Sequence, residues 1–329
     1  MPSQSQRVLI LAHPRTRCNL FFRLLSSHPA LTAVPRFRFL SAYFSGPEYQ
    51  IPERSGRNIA LPSEQTFQEA FDLFRKSIED AEATGKISLA MEHPFHLIPH
   101  STINQDAKFP SPRQGPVPRP VILFDGASSS ENNPTYLPDA FLYGFTTIIT
   151  IRHPARVLVS FIRAMHDSEI ASSSLDEIGK AAFLHAMERV SRFKWERLVF
   201  DSSDGRGVRP IVIDGDRLAK DPEAQMKAVC EALGIDAGDG TITFTWDSSG
   251  SGSVTSDSAG VTENASKALF GNVNSSKGVV KDKRLDKPVD IADEKRQWEE
   301  EWDEELASRM EELVQRAMED YEYLYRFVI

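Results

Sequence analysis

The chain has 329 residues, of which 40% are hydrophobic and 26% are charged, which is typical of a soluble globular enzyme and is enough for one large α/β core. No run of about 18 apolar residues is present, which argues against a membrane partner, and the two cysteines, Cys18 and Cys230, offer no disulfide framework or metal-ligand spacing. The net charge of −9 argues against a nucleic-acid partner, and the polar N-terminus without a basic leader predicts a cytoplasmic protein.

The first predicted elements are a buried strand over residues 8–12, the polar turn "HPRTRCN", and an amphipathic helix over 19–25. Residues 1–60 hold eight arginines, no lysine and only two acids, which favours forked hydrogen bonds to phosphate-like oxygens. The helix N-terminus attracts an anion through free N–H groups and its dipole, and Arg15 adds a fixed charge. The short donors beside it are Thr16, Cys18 and Asn19. The alternative is a turn whose basic residues face solvent.

Farther along the chain, a loop-like insert with several aromatic residues covers about 41–62. A capping-box spacing at Ser63, Glu64 and Thr66 predicts the start of a helix that runs to Gly85, and "KISLAMEHP" predicts the next strand. A second, proline-rich insert covers 103–120.

The rest of the chain continues the alternation of strands and helices. "VILFD", "GFTTIITI" and "PIVID" predict strands, while "ARVLVSFIRAMH", residues 175–199 and "DPEAQMKAVCEALGI" predict helices, the last capped by Asp221 and stopped by Gly234. A Ser/Gly-rich segment covers 247–262, and one long acidic helix covers 290–326. This order predicts a single α/β domain over 1–329, with a parallel sheet flanked by helices.

Ligands of parallel sheets bind beyond the carboxyl ends of the strands. Three such ends carry "HPRTRCN", "EHPFH" and "RHPARVLVS", in which Arg152 precedes Ser160 by eight residues. A helix serine that bonds its own backbone is the plain alternative for Ser160.

Two of these segments together resemble the sulfotransferases that use 3′-phosphoadenosine-5′-phosphosulfate (PAPS). "PRTRCN" is similar to the P-[KR]-[ST]-G-[ST]-[ST]-like loop of that family, and Arg152 with Ser160 is similar to its second signature. The resemblance is to a divergent fungal and bacterial branch, and it implies the three-layer, P-loop NTPase-like sulfotransferase fold.

The same resemblance implies roles for individual residues. Arg15 would hold the phosphosulfate, and the 5′-phosphate site would comprise Thr16, Arg17, Cys18 and Asn19, with Arg17 standing where the family has glycine. Arg152 and Ser160 would hold the 3′-phosphate on the other side of one pocket. In "NSSKGVV" the candidates for the closing loop are Ser276, Lys277 and Gly278, for which a flexible turn with an exposed lysine is the alternative.

The general base implied by the resemblance is His93, preceded by Glu92 as a further catalytic candidate, while Met91 replaces the family's lysine. His96 and His100 compete for the role of base. Neighbours on an extended strand point to opposite faces, so Glu92 and His93 are not expected to share the cleft.

The implied reaction is the transfer of a sulfuryl group from PAPS to a hydroxyl or amine of a small-molecule acceptor, without a metal, leaving 3′,5′-adenosine diphosphate. The alternative is a sulfotransferase-like protein that has lost this transfer and either performs another acid/base reaction or only binds a nucleotide. Aromatic residues in 37–49 and 95–109 suit an apolar or aromatic acceptor, or else pack ordinarily. The sequence does not specify an oligomeric state.

Overall fold

A computed structural model describes residues 7–49, 63–105, 107–109, 120–167, 177–246, 276–280, 285 and 287–329. The predicted Ser/Gly-rich segment 247–262 and most of the two inserts lie outside the described residues. Of the first insert, the part before Gly46 is helical rather than loop-like, because residues 40–45 bury Leu40, Ala42 and Tyr43 in the core.

The centre of the molecule is a five-stranded parallel sheet. Its strands are β1 (Arg7–Ala12), β2 (Leu31–Ala33), β3 (Ile87–Glu92), β4 (Phe145–Ile151) and β5 (Ile211–Asp214). They lie in the order β2-β3-β1-β4-β5, and all neighbouring pairs are parallel. The register sets Leu11 of β1 between Glu92 of β3 and Ile149 of β4, so the three strand ends predicted to share a crevice are neighbours.

Helices cover both faces of this sheet, which confirms the predicted three-layer α/β architecture. They are α1 (Cys18–Ser26), α2 (Leu40–Ser45), α3 (Phe67–Glu82), α4 (Pro94–Leu97), α5 (His100–Gln105), α6 (Asp139–Leu142), α7 (Pro154–Asp167), α8 (Glu177–Ser191), α9 (Lys194–Asp204), α10 (Gly215–Lys220), α11 (Pro222–Leu233), α12 (Ile291–Glu301) and α13 (Glu304–Tyr325). Alternate residues of β1 enter different cores: Leu9 and Leu11 pack with α3, α7, α9 and α13, and Ile10 packs with α1, α10 and α11.

Two helix caps show how local sequence sets these boundaries. Asp221 accepts the Ala224 N–H at 3.0 Å, and Gly234 ends α11 in the left-handed region at φ 67°, as the sequence predicts. The capping box at the start of α3 joins Thr66 to Glu69, so the predicted Thr66 is the cap, whereas the predicted Ser63 and Glu64 do not belong to the box.

Other sequence predictions are also corrected. Residues 175–199 do not form one helix, because α8 ends at Ser191 and α9 begins at Lys194. The C-terminal helix predicted over 290–326 is interrupted at Trp302, where Asp303 caps a new helix by accepting the Leu306 N–H at 2.7 Å. "VILFD" forms no strand, since its only bridge pairs Phe124 with Ala127. No helix in the described part of the chain is long and apolar enough to cross a membrane.

Candidate functional site

The turn between β1 and α1 has an unusual backbone conformation. Arg15 and Arg17 both take left-handed angles, at φ 64° and 63°, a region that side-chain-bearing residues rarely occupy. Arg17 thus adopts the conformation that glycine would favour at this position. Arg17 is the N-cap residue of α1 and its side chain makes no capping hydrogen bond, and the first N–H groups of the helix are directed toward the space in front of the turn.

Buried hydrogen bonds hold this turn in shape. The Thr16 hydroxyl donates to the His13 carbonyl at 2.6 Å and bonds the Thr150 hydroxyl at 2.6 Å, while His13 donates from Nε2 to the Val190 carbonyl at 2.6 Å. A Cβ on Gly215 would lie 2.0 Å from the Thr16 carbonyl oxygen, so only glycine fits beneath the turn. The strained backbone is therefore fixed by contacts from β4, α8 and the start of α10.

A cavity of about 180 Å³ opens in front of the turn. The residues that line it are Arg15, Arg17, Cys18, Asn19, Leu20, Arg152, Ser160, Ser276, Gly278 and Val280. The structure thus brings together eight of the ten residues predicted to bind a cofactor. Of the other two, Thr16 is buried with its hydroxyl bonded internally, and Lys277 is exposed outside the lining.

The two signature arginines are in direct contact. Arg152 donates from Nη1 to the Arg15 carbonyl at 3.2 Å, and Arg15 donates from Nε to the Ser160 hydroxyl at 3.0 Å. Burial lowers the pKa of Arg152 to about 10, so its guanidinium is still charged near neutral pH. The three side chains converge on one wall of the cavity, with Arg152 beside Arg15 rather than across the pocket from it.

A carboxylate that the sequence analysis missed holds this arginine cluster. Asp216, at the start of α10, accepts from Arg152 Nε at 2.7 Å, from Arg156 Nη1 at 2.8 Å and from Arg17 Nε at 3.4 Å. Burial alone would raise the pKa of Asp216, but Arg152 and Arg156 hold that pKa below its usual value. The signal that could have located it is "DGDRL", which follows β5 at the same edge of the sheet.

Cys18 and Asn19 begin α1 at the cavity wall. Burial raises the pKa of the Cys18 thiol despite the nearby charges of Arg15 and Arg36, so Cys18 fills space and is not an activated thiolate. The Asn19 amide oxygen accepts from Arg36 Nη1 at 2.9 Å. Arg36, which is also buried, is a second residue that the sequence analysis did not identify.

The segment 276–280 covers one side of the cavity. Gly278 forms an antiparallel bridge with Thr245, and the Lys277 carbonyl accepts the Trp246 N–H at 3.1 Å. A Cβ on Gly278 would lie 3.1 Å from the Phe244 carbonyl, which explains the small residue. Ser276 and Gly278 therefore face the cavity while the Lys277 side chain is exposed.

His93 lies next to the end of β1 and outside the lining of this cavity. Its Nδ1 hydrogen-bonds the Ala12 carbonyl, so Nδ1 carries the proton and Nε2 keeps a lone pair. Burial, reinforced by the charge of His96, lowers the pKa of His93 to about 3, which keeps the ring neutral near pH 7. His93 is half-buried, whereas the competing candidates His96 and His100 are 1% and 3% exposed.

Glu92 points into the protein rather than toward the cavity. Its carboxylate accepts the Phe39 N–H at 3.0 Å, the His93 N–H at 2.8 Å and His96 Nδ1–H at 2.6 Å. Burial raises the pKa of Glu92 to about 7. These internal partners give Glu92 a structural position under α2, in contrast to the catalytic role predicted for it as the neighbour of His93.

Within the described residues, no three or more His, Cys, Asp or Glu side chains are grouped so that they could hold a metal ion. The lining of the cavity includes the guanidinium groups of three arginines and the hydroxyl groups of Ser160 and Ser276, which bind anions.

Comparison with known proteins identifies relatives of nearly the same length. Sulfotransferase ppzF from Metarhizium majus is 27% identical over 345 residues, which cover 97% of this chain and 95% of the relative. The protein of the same name from Metarhizium rileyi is 26% identical over 348 residues, covering 98% and 96%. No protein-family model matches the chain.

Solved structures are more distantly similar. The sulfotransferase domain from the Curacin biosynthetic pathway is 14% identical with a TM-score of 0.42, covering 90% of this chain and 96% of that chain. The sulfotransferase from Alicyclobacillus acidocaldarius is 16% identical with a TM-score of 0.38, covering 70% and 82%.

Proposed function

Since this chain is a relative of curated sulfotransferases along nearly its whole length, we propose that it transfers a sulfuryl group from PAPS to a hydroxyl or amine of a small-molecule acceptor. The product of the donor is 3′,5′-adenosine diphosphate. The observation that carries the proposal is the convergence of Arg15, Arg152 and Ser160 on one cavity at the N-terminus of α1.

The charge of the cavity suits such a donor. Among the described residues, Arg15, Arg17 and Arg152 line it, and none of the described lining residues carries a carboxylate. Asp216 pairs with Arg17, Arg152 and Arg156 from behind the cavity wall. The guanidinium groups of the lining and the N-terminus of α1 fit a ligand with phosphate groups at both ends.

Each residue has a distinct task in this proposal. Arg152 has Nε and Nη1 bonded internally, so Nη2 is the atom that would bind the 3′-phosphate together with the Ser160 hydroxyl. Arg15 and the N–H groups of the turn would stabilise negative charge on the leaving phosphate. Loss of one such preorganised donor typically raises the barrier by about 2.7–4 kcal/mol. Thr16 would contribute its backbone, because its hydroxyl is bonded internally.

His93 is the group that would remove the acceptor proton. The bond from Nδ1 to the Ala12 carbonyl fixes the ring and leaves Nε2 as the acceptor of that proton. The bound donor supplies the sulfuryl group, and the deprotonated hydroxyl or amine attacks its sulfur in line.

Calorimetric titration with 3′,5′-adenosine diphosphate tests the nucleotide site. We expect Arg152→Ala to weaken binding by about 10- to 100-fold, as expected for the loss of charge-assisted hydrogen bonds. The matched control is Arg209→Ala, which removes an exposed guanidinium paired with Asp204 and should bind as the wild type does. Absence of nucleotide binding by the wild type, or unchanged binding by Arg152→Ala, contradicts the proposal.

Transfer of labelled sulfate from PAPS to a panel of phenols, alcohols and amines then tests catalysis. Product formation supports the proposed reaction. Tight nucleotide binding without transfer to any acceptor instead favours the alternative, a sulfotransferase-like protein that has lost this activity.

A further inference from the structure

A continuous stack of side chains leads away from His93. Its ring stacks on Phe37 with centroids 4.3 Å apart and on Phe95 at 5.5 Å. Arg189 lies in the last turn of α8, and its guanidinium carbon lies over the Phe95 ring, 5.0 Å from the ring centroid. Arg189 is therefore only two ring contacts away from the proposed general base.

Arg189 is caged by aromatic rings and is almost completely buried. Its guanidinium also lies 5.5 Å from the Phe44 ring and 5.8 Å from the Tyr43 ring, and the residue is 8% exposed. The buried Nε has no hydrogen-bond partner. Within the described part of the chain, no carboxylate lies within ion-pair distance of Arg189, and its Nη atoms make no hydrogen bond.

Two carboxylates in the described surroundings, those of Glu188 and Glu92, have other partners. Glu188 accepts from Arg316 Nη1 at 2.6 Å and from the N–H of Lys108 and Phe109. Glu92 is occupied by backbone N–H groups and His96. A guanidinium buried without an anion is costly, and contacts with aromatic faces offset only part of that cost. An incoming anion would complete the pairing.

We propose that Arg189 binds a carboxylate of the acceptor, so that the substrates are hydroxylated aromatic carboxylic acids. The carboxylate pairs with the Arg189 Nη atoms, the aromatic body packs against the rings around it, and the hydroxyl is presented toward His93. This inference rests on the proposed function, because it concerns the acceptor of that same transfer.

The test compares two probes of the same shape, 4-hydroxyphenylacetate and 4-hydroxyphenylacetamide, in which a neutral amide replaces the carboxylate. Their affinities are measured by calorimetry on protein saturated with 3′,5′-adenosine diphosphate, which keeps the anionic probe out of the nucleotide cavity. We expect the wild type to bind the acid about tenfold or more tightly than the amide. Arg189→Met should abolish this preference, and Arg189→Lys, which keeps the charge but not the fork, should retain part of it.

The matched control is Arg206→Met. Arg206 lies over the Tyr143 ring at 4.2 Å but is paired with Asp139 at 2.8 Å, at the opposite edge of the sheet. This variant should keep the preference for the acid. Equal binding of the two probes by the wild type, no binding of the acid, or an Arg189→Met protein that still prefers the acid would each overturn the inference. Nucleotide binding is measured on the same samples, so the proposed function can fail or stand separately.

Discussion

Asp216 offers a direct test of the arginine cluster. Asp216→Asn keeps the shape and one accepting oxygen of the side chain but removes the negative charge that faces Arg17, Arg152 and Arg156. The pairs are well buried, since the Asp216 side chain is 13% exposed and that of Arg152 is 9% exposed. The three guanidinium groups would then repel one another without the negative charge of Asp216 to offset the repulsion.

The expected loss of stability follows from that burial. Removing one partner of a buried ion pair costs about 3–5 kcal/mol, and we expect the lower end, about 3 kcal/mol, because asparagine can still accept one hydrogen bond. The pKa of Asp216 lies below its usual value of 3.8. The stabilisation that ionised Asp216 provides is therefore present above pH 3.8 and is lost as the pH falls through the lower pKa of Asp216 in the folded protein. The difference in the free energy of unfolding between Asp216→Asn and the wild type should therefore become smaller in acid.

Urea unfolding at neutral pH measures this loss. The matched control is Asp204→Asn, which breaks an exposed pair with Arg209 and should leave the free energy of unfolding close to that of the wild type. Saturating 3′,5′-adenosine diphosphate should stabilise Asp216→Asn more than the wild type, because the ligand supplies the missing negative charge. A loss smaller than about 1 kcal/mol for Asp216→Asn would refute the reasoning about the buried cluster.

Three further predictions follow from the same geometry. His93→Gln should lower kcat for sulfate transfer by roughly 10²–10⁴-fold without changing nucleotide affinity, and a variant with full kcat would show that His93 is not the base. Burial places the folded pKa of Glu92 at about 7, above the usual 4.5, so protonated Glu92 stabilises the fold fully below pH 4.5 and this contribution is lost as the pH rises through 7. Over this range the free energy of unfolding of the wild type should fall by about 3 kcal/mol relative to Glu92→Gln, whose amide does not titrate; urea unfolding in which the wild type gains on the variant as the pH rises would contradict this. Gly215→Ala should lower the free energy of unfolding by about 1–3 kcal/mol and weaken nucleotide binding, because its methyl group would lie 2.0 Å from the Thr16 carbonyl oxygen. The control is Gly205→Ala, whose methyl group would lie 3.2 Å from its nearest atom. Equal stabilities of these two variants would show that the turn can move.

The fold is largely predictable because the central strands have sequences typical of buried strands. Residues 8–12 are a continuous apolar run, and residues 145–151 consist almost entirely of the β-branched residues threonine and isoleucine; both segments lie in the centre of the sheet. β2 has only three residues, too few to show any period. The break at Trp302 was missed because apolar residues continue at helical spacing across it, and only Asp303, as a cap, marks the new helix.

The candidate site was predictable where its residues lie in one motif or at a fixed spacing. Arg15, Arg152 and Ser160 were identified in this way, and the structure places them around one cavity. Asp216 and Arg189 were not, because their relevance depends on partners that only folding brings near. The pair of Asp216 with Arg152 spans 64 positions of sequence.

The turn in front of α1 achieves its shape without glycine of its own. Its two left-handed arginines are maintained by Gly215 below, Asp216 beside them and Thr150 behind. Residues 13–19 transplanted alone into another α/β scaffold would keep their sequence but lose this backbone conformation. The portable unit is the loop together with the start of α10, and the two segments are expected to change in concert as the protein evolves.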